Sequence, residues 1–169
     1  MTKKTLFLTA LIILGAAGAL GAQDASTKNA ASGDPRVSAA LDKLGLHYKL
    51  TKSGNYSVTY DLDHGRSQVA YIVTKTETYA GVEIRELWSR AGTYDAVPSA
   101  EVMQKLLEDS GTEKIGGWSL EKSSSDGYIV YFSVRVPVTV TDDALKALLE
   151  LTADVADQKE NDLFGVDDE

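Results

Sequence analysis

Two alternating patterns predict that this chain folds as α+β, with an antiparallel sheet and helices packed on one face, in the order α-β-β-β(-β)-α-β-β-α. The first is a period of two in the apolar residues, clearest over Tyr56–Leu62 and Tyr128–Val136, which marks strands with one face buried. The second is helical spacing in three stretches that stand before, between and after the strands. Turn pairs such as Ala80-Gly81 and Asp126-Gly127 join neighbouring strands directly, so the pairing is antiparallel.

Asp34-Pro35 opens the first helix, because Asp caps and Pro is tolerated where the N–H has no helical partner. Val37, Leu41 and Leu44 share a face, and Gly45 stops the helix. Leu46–Thr51 reads as a short strand, turned by Ser53-Gly54-Asn55. Tyr56, Val58, Tyr60 and Leu62 then alternate with polar residues. After the turn Asp63-His64-Gly65-Arg66, Val69, Tyr71 and Val73 continue the alternation, with Ala70 and Ile72 expected on the other face. Val82, Ile84 and Trp88 follow, with Leu87 on that same other side. Pro98-Ser99 begins a second helix with the stripe Val102, Met103, Leu106 and Leu107, ended by Gly111. Lys114–Lys122 is a further strand, and Tyr128, Val130, Phe132, Val134 and Val136 give the last, with Ile129 and Tyr131 opposite them. Thr141-Asp142-Asp143 caps the final helix, whose stripe is Leu145, Leu148, Leu149, Thr152, Val155 and Ala156.

In the 169 residues, Asp plus Glu number 25 against 17 Lys plus Arg, for a formal charge of -8. That balance argues against nucleic acid as a partner, since phosphate backbones reward clustered positive charge. The chain has no cysteine, which removes disulfides, thiolate metal sites and a cysteine nucleophile. Residues 1–22 have the three parts of an export signal: Lys3-Lys4, an apolar run from Leu6, and a small-residue end at Ala19-Leu20-Gly21-Ala22. Cleavage is expected on either side of Ala22. The strongly apolar part, Leu6 to Leu14, is short for a membrane span, so no stable anchor is expected after cleavage. The expected address is the periplasm, with secretion second. Residues 23–33 read as a polar linker, 34–164 as one domain and 165–169 as an acidic tail.

The chemical motifs are sparse. Only two histidines, His47 and His64, could serve as bases, and neither sits in a nucleophile or metalloprotease motif. Asp61, Asp63 and Gly65 start like a calcium loop, but Arg66 and Ile72 stand where that loop needs Gly and Glu. Gly116-Gly117 lacks the Gly-Lys-Ser/Thr of a phosphate loop and lies in a strand pattern, where it signals a bulge or close packing. Asp142-Asp143 is accounted for by the helix dipole. No catalytic residue, cofactor or metal is assigned.

The stretch from Lys114 to Gly165 has a Gly-containing strand, an Asp-Gly hairpin, a Tyr/Val/Phe strand, a proline, then a long helix ending Ala156-Asp157-Gln158-Lys159-Glu160. In this it resembles the YbjN family, whose fold is that of type III secretion chaperones. Tyr56–Tyr60 and Leu106-Leu107-Glu108 fit the same pattern more loosely. The resemblance implies that fold, and by analogy a homodimer. Secretion chaperones work in the cytosol, whereas this chain carries an export signal, so it departs from that role.

With helices on one face, the second face of the sheet is expected to be partly apolar and exposed, formed by Ala70, Ile72, Leu87, Ile129 and Tyr131. The leading reading is a non-enzymatic exported module that binds an unidentified protein or peptide there, or at a sheet edge. The alternative is a small apolar ligand or lipid held between helices and sheet.

Overall fold

A computed structural model describes residues 32–165 of the chain. The expected signal peptide, most of the linker, and residues 166–169 of the tail lie outside the described residues. Three helices and seven strands follow the chain as α1 (Pro35–Lys43), β1 (Tyr48–Leu50), β2 (Tyr56–Asp61), β3 (Ser67–Ile72), β4 (Glu77–Tyr79), β5 (Val82–Tyr94), α2 (Ala100–Thr112), β6 (Gly117–Lys122), β7 (Tyr128–Pro137) and α3 (Asp142–Phe164). The α+β class holds, with five strands ahead of α2 where the sequence suggested three or four. The added strand is β4, a three-residue arm of the hairpin turned by Ala80-Gly81. Both turn residues have positive φ, 48° at Ala80 and 83° at Gly81, as the twist of a two-residue hairpin requires.

All pairings are antiparallel, in the order β1-β2-β3-β5-β7-β6, with β4 beside β5. β5 runs past its expected end at Trp88 to Tyr94, and its pairing with β7 shifts between Arg90 and Gly92. Gly92 has φ 150°, and a Cβ there would stand 2.1 Å from a ring carbon of Phe164. This glycine lets the end of α3 settle onto the strand. β6 starts at Gly117, three residues later than expected. Gly116 precedes it at φ 86°, and a Cβ there would lie 2.6 Å from the Ser133 carbonyl oxygen. The close approach at Gly116 is thus to the neighbouring strand β7 rather than to a helix, while at Gly117 a Cβ would lie 3.4 Å from Ser110 of α2.

The helix starts follow the capping logic. The carboxylate of Asp34 accepts from the Arg36 N–H, the hydroxyl of Ser99 from Val102, and that of Thr141 from Ala144. Asp34 does more than cap. It accepts a 2.5 Å hydrogen bond from the buried Arg85 guanidinium of β5, which also donates to the Val73 carbonyl at 2.9 Å. Arg36 bridges Asp34 to Glu83, and Thr76 donates to Glu83 as well. Hydrogen bonds from Arg36 and then Arg85 hold the Asp34 carboxyl well below the usual carboxylate range. Those from Arg36 and Thr76 bring Glu83 down to about 2. The first helix is thereby fastened to the sheet by an ionic clasp as well as by Val37 and Leu41.

The main core joins α1 and α3 to the sheet through Val37, Leu41, Val58, Ala70, Ile72, Leu87, Phe132, Val134, Leu145, Leu149, Ala153 and Ala156. A smaller cluster seats α2, with Leu106 against Ala91 and Val130. Of the α2 stripe only Leu106 is buried, and Leu107 stands 71% exposed. α3 buries Leu145, Leu149, Thr152 and Ala156 as expected, but its contact continues through Ala153, Asp157 and Glu160. Arg66 meets Asp157 with two hydrogen bonds of 2.9 and 2.6 Å, which matches its charge in the half-dry site.

Candidate partner surface

Directly opposed residues in a sheet share a face, so the strand register decides which side chains meet the helices. One row across the sheet is Tyr48, Val58, Ala70, Ser89, Phe132 and Trp118. A second row of the same face is Leu50, Tyr56, Ile72, Leu87 and Val134. Both rows run through the core beneath α1 and α3. The row between them, Lys49, Ser57, Tyr71, Trp88, Ser133 and Gly117, points the other way.

This register corrects the expected surface. Ala70, Ile72 and Leu87 are fully buried under the helices and cannot meet a partner. Ile129 and Tyr131 do lie on the uncovered face, half-buried, opposite Thr93 and Arg90 of β5. In β3 and β5 both alternating sets contain apolar residues, and the larger set was read as core. The assignment inverts because α3 comes close. Its Ala153 and Ala156 press on small partners, and Ala70 fits there where a tyrosine does not. Two polar residues complete that inward set. Gln68 donates to the Arg90 carbonyl at 2.7 Å and Ser89 to the Val69 carbonyl at 2.8 Å.

The uncovered face therefore carries Tyr71 and Trp88 beside Tyr131, which the sequence already places there. Tyr71 and Trp88 stack with ring centroids 4.2 Å apart and planes 14° from parallel. Tyr131 meets Trp88 edge to face at 5.7 Å. All three are half-buried, with no helix of the described residues above them. Val69 and Ile129 extend the patch at one end. At the other, Glu86 and Arg135 form a 3.2 Å ion pair, beyond which Ile84 and Pro137 oppose one another. The stripe ends on the β4–β5 hairpin with Val82, 46% exposed, and Tyr79, 78% exposed. Burial raises the Tyr131 hydroxyl, and the charge of nearby Glu86 adds to it, so the ring stays neutral throughout the physiological range. One signal for this patch was available: Tyr71 and Trp88 sit centrally in their strands on the set opposite Ala70 and Leu87.

The remaining candidates are dispersed. His47 is exposed just ahead of β1, and His64 lies in the turn Asp63–Gly65. Asp61 is exposed at the end of β2, beside that turn. What the face offers chemically is apolar and aromatic area with a polar rim, of the kind that suits association.

Against known proteins, no protein family matches the sequence, and no curated protein matches it. The structure is similar to the crystal structure of YbjN from E. coli, with a TM-score of 0.46 and 8% identity, over 75% of this chain and 86% of that one.

Proposed function

We propose that this chain is a non-enzymatic exported module that binds a protein or peptide partner on the uncovered face of its sheet. The supporting observation is the aromatic patch of Ile129, Tyr131, Trp88 and Tyr71, with Val82 and Tyr79 exposed beyond the Glu86–Arg135 ion pair on the same face. Aromatic rings bring large contact area at small entropic cost, and a half-exposed patch of them is what binding surfaces are built from. The net charge of -8 would steer cationic partners toward the molecule. A small apolar ligand between helices and sheet has less support, because Leu41, Ile72, Leu87, Phe132 and Leu149 are fully buried in that layer. Affinity capture from periplasmic extract, with the domain beside its Trp88→Glu and Tyr131→Glu variants, tests the reading. A partner lost by both variants supports it. A partner held equally by all three proteins removes this face from consideration.

A further inference from the structure

A different surface has its own chemistry. β6 is one end of the sheet, and among the described residues no strand pairs with its outer side. Antiparallel strands turn alternate residues toward and away from their neighbour. The Ser123 N–H bonds to the Gly127 carbonyl at 2.8 Å, fixing the odd-numbered residues as those facing β7. The Trp118 N–H agrees, since it points outward and donates to the Ser110 hydroxyl of α2 at 2.8 Å. That hydroxyl closes the edge at Trp118. Two residues further on, the outward N–H and C=O of Leu120 and Lys122 face no strand among the described residues.

Beside this open half of the edge lies a groove between α2 and β6, lined by Met103, Leu106, Leu107, Trp118, Ser119 and Leu120. Leu107 is 71% and Leu120 39% exposed, both lining this groove. The Trp118 Nε1 is buried and has no acceptor among the described residues. Around it Glu101, Glu108, Asp109, Glu113 and Glu121 stand against Lys105, Lys114, Lys122 and the Lys159 that pairs with Asp109, a margin of one negative charge on a chain whose formal charge is -8. The other edges lack this combination. β1 and β4 have three residues each, against six in β6.

We infer that the open half of β6 takes up an extended segment of a partner protein as an additional strand. The unpaired edge specifies extended backbone, the groove specifies apolar side chains at alternate positions, and the acidic surround specifies net positive charge. This surface is separate from the uncovered face, and it stands or falls independently of it.

The test uses the synthetic peptide acetyl-Lys-Val-Lys-Leu-Lys-Val-Lys-amide, its Glu-for-Lys counterpart, and a version N-methylated at alternate residues. Binding is followed by amide exchange and by titration calorimetry on the domain, on Leu107→Asp, on Leu120→Pro and on Trp88→Glu. Leu107 is mostly exposed, so its variant keeps the fold. Leu120→Pro removes an outward N–H and spares the pairing with β7. Expected are slowed exchange at Leu120 and Lys122 with the basic peptide, and about a ten-fold weaker affinity in Leu107→Asp and with the methylated peptide. Trp88→Glu should bind as the parent does. No binding of the basic peptide, or binding that Trp88→Glu abolishes and Leu107→Asp leaves intact, would overturn the proposal. In the latter case the reading of the uncovered face survives alone.

Discussion

The two faces of the sheet are built from opposite choices of side chain. Beneath the helices, β3 and β5 present Ala70, Ile72, Leu87 and Ser89, and β2 and β7 add Tyr56 and Phe132, all of them buried. On the other side the same strands present Tyr71 and Trp88, and β7 adds Tyr131. Size alone therefore misleads about burial. On the covered face small Ala70 and Ser89 stand in one row with Phe132, whereas the uncovered face carries rings that rest on one another. Energy on the first face comes from exclusion of water, and on the second from contacts that leave area for a partner.

Neighbours on one strand separate these roles most sharply. Phe132→Ala, beneath the helices, should cost about 4 kcal/mol of stability. Tyr131→Ala, next to it but facing outward, should cost about 1 kcal/mol while weakening any partner bound to that face. Urea unfolding of the two variants checks the contrast, and equal losses would mean that the outer face is also packed. Breaking the clasp comes next. Asp34→Ala strands the buried Arg85 guanidinium and should cost about 3 kcal/mol. Ala70→Leu forces extra volume under α3 and should cost about 2 kcal/mol, where Tyr71→Leu on the outer face should cost less. The smallest effect is a gain. Ala80 holds a positive φ at the hairpin tip, so Ala80→Gly should raise stability by about 0.5 kcal/mol, visible as a shifted midpoint with unchanged slope.

Acid should act on the same clasp. Asp34 and Glu83 both have folded-state values lowered by their arginine and threonine partners. Their stabilisation is complete above the ordinary carboxylate range of about 4 and is lost as pH falls below it. Stability measured from pH 6 down to pH 2 should fall, and the Asp34→Asn, Glu83→Gln double variant should show a shallower decline. A decline of the same steepness in the variant would place the acid sensitivity elsewhere.

Much of this architecture was legible in the chain. The caps at Asp34, Ser99 and Thr141, the Asp126-Gly127 hairpin and the alternation of β7 are local signals, and each fixes local structure. The candidate surface was legible only in part. Ile129 and Tyr131 were placed correctly because β7 alternates large apolar residues with a mixed set. Ala70, Ile72 and Leu87 were not, because β3 and β5 are apolar on both sides and local pattern cannot choose between two such sets. The choice is made by Val58 opposite Ala70 and by the alanines of α3, contacts between residues distant in sequence. The same holds for Arg85, Asp157 and Glu160, whose burial depends on partners that no spacing announces.

β5 spans thirteen residues and pairs with β3, β4 and β7. Its longest ladder is with β7, where Leu87 meets Val134, so α2 and β6 must be threaded between the two halves of the central pair. Closing a loop of that length costs entropy before the ladder rewards it, and chains dominated by such contacts fold slowly. A chain elongated only to Lys122 has β5 but neither β7 nor α3. The core therefore cannot close until β7 and α3 have been made, and α3 is the piece that turns a collection of hairpins into a cooperative unit.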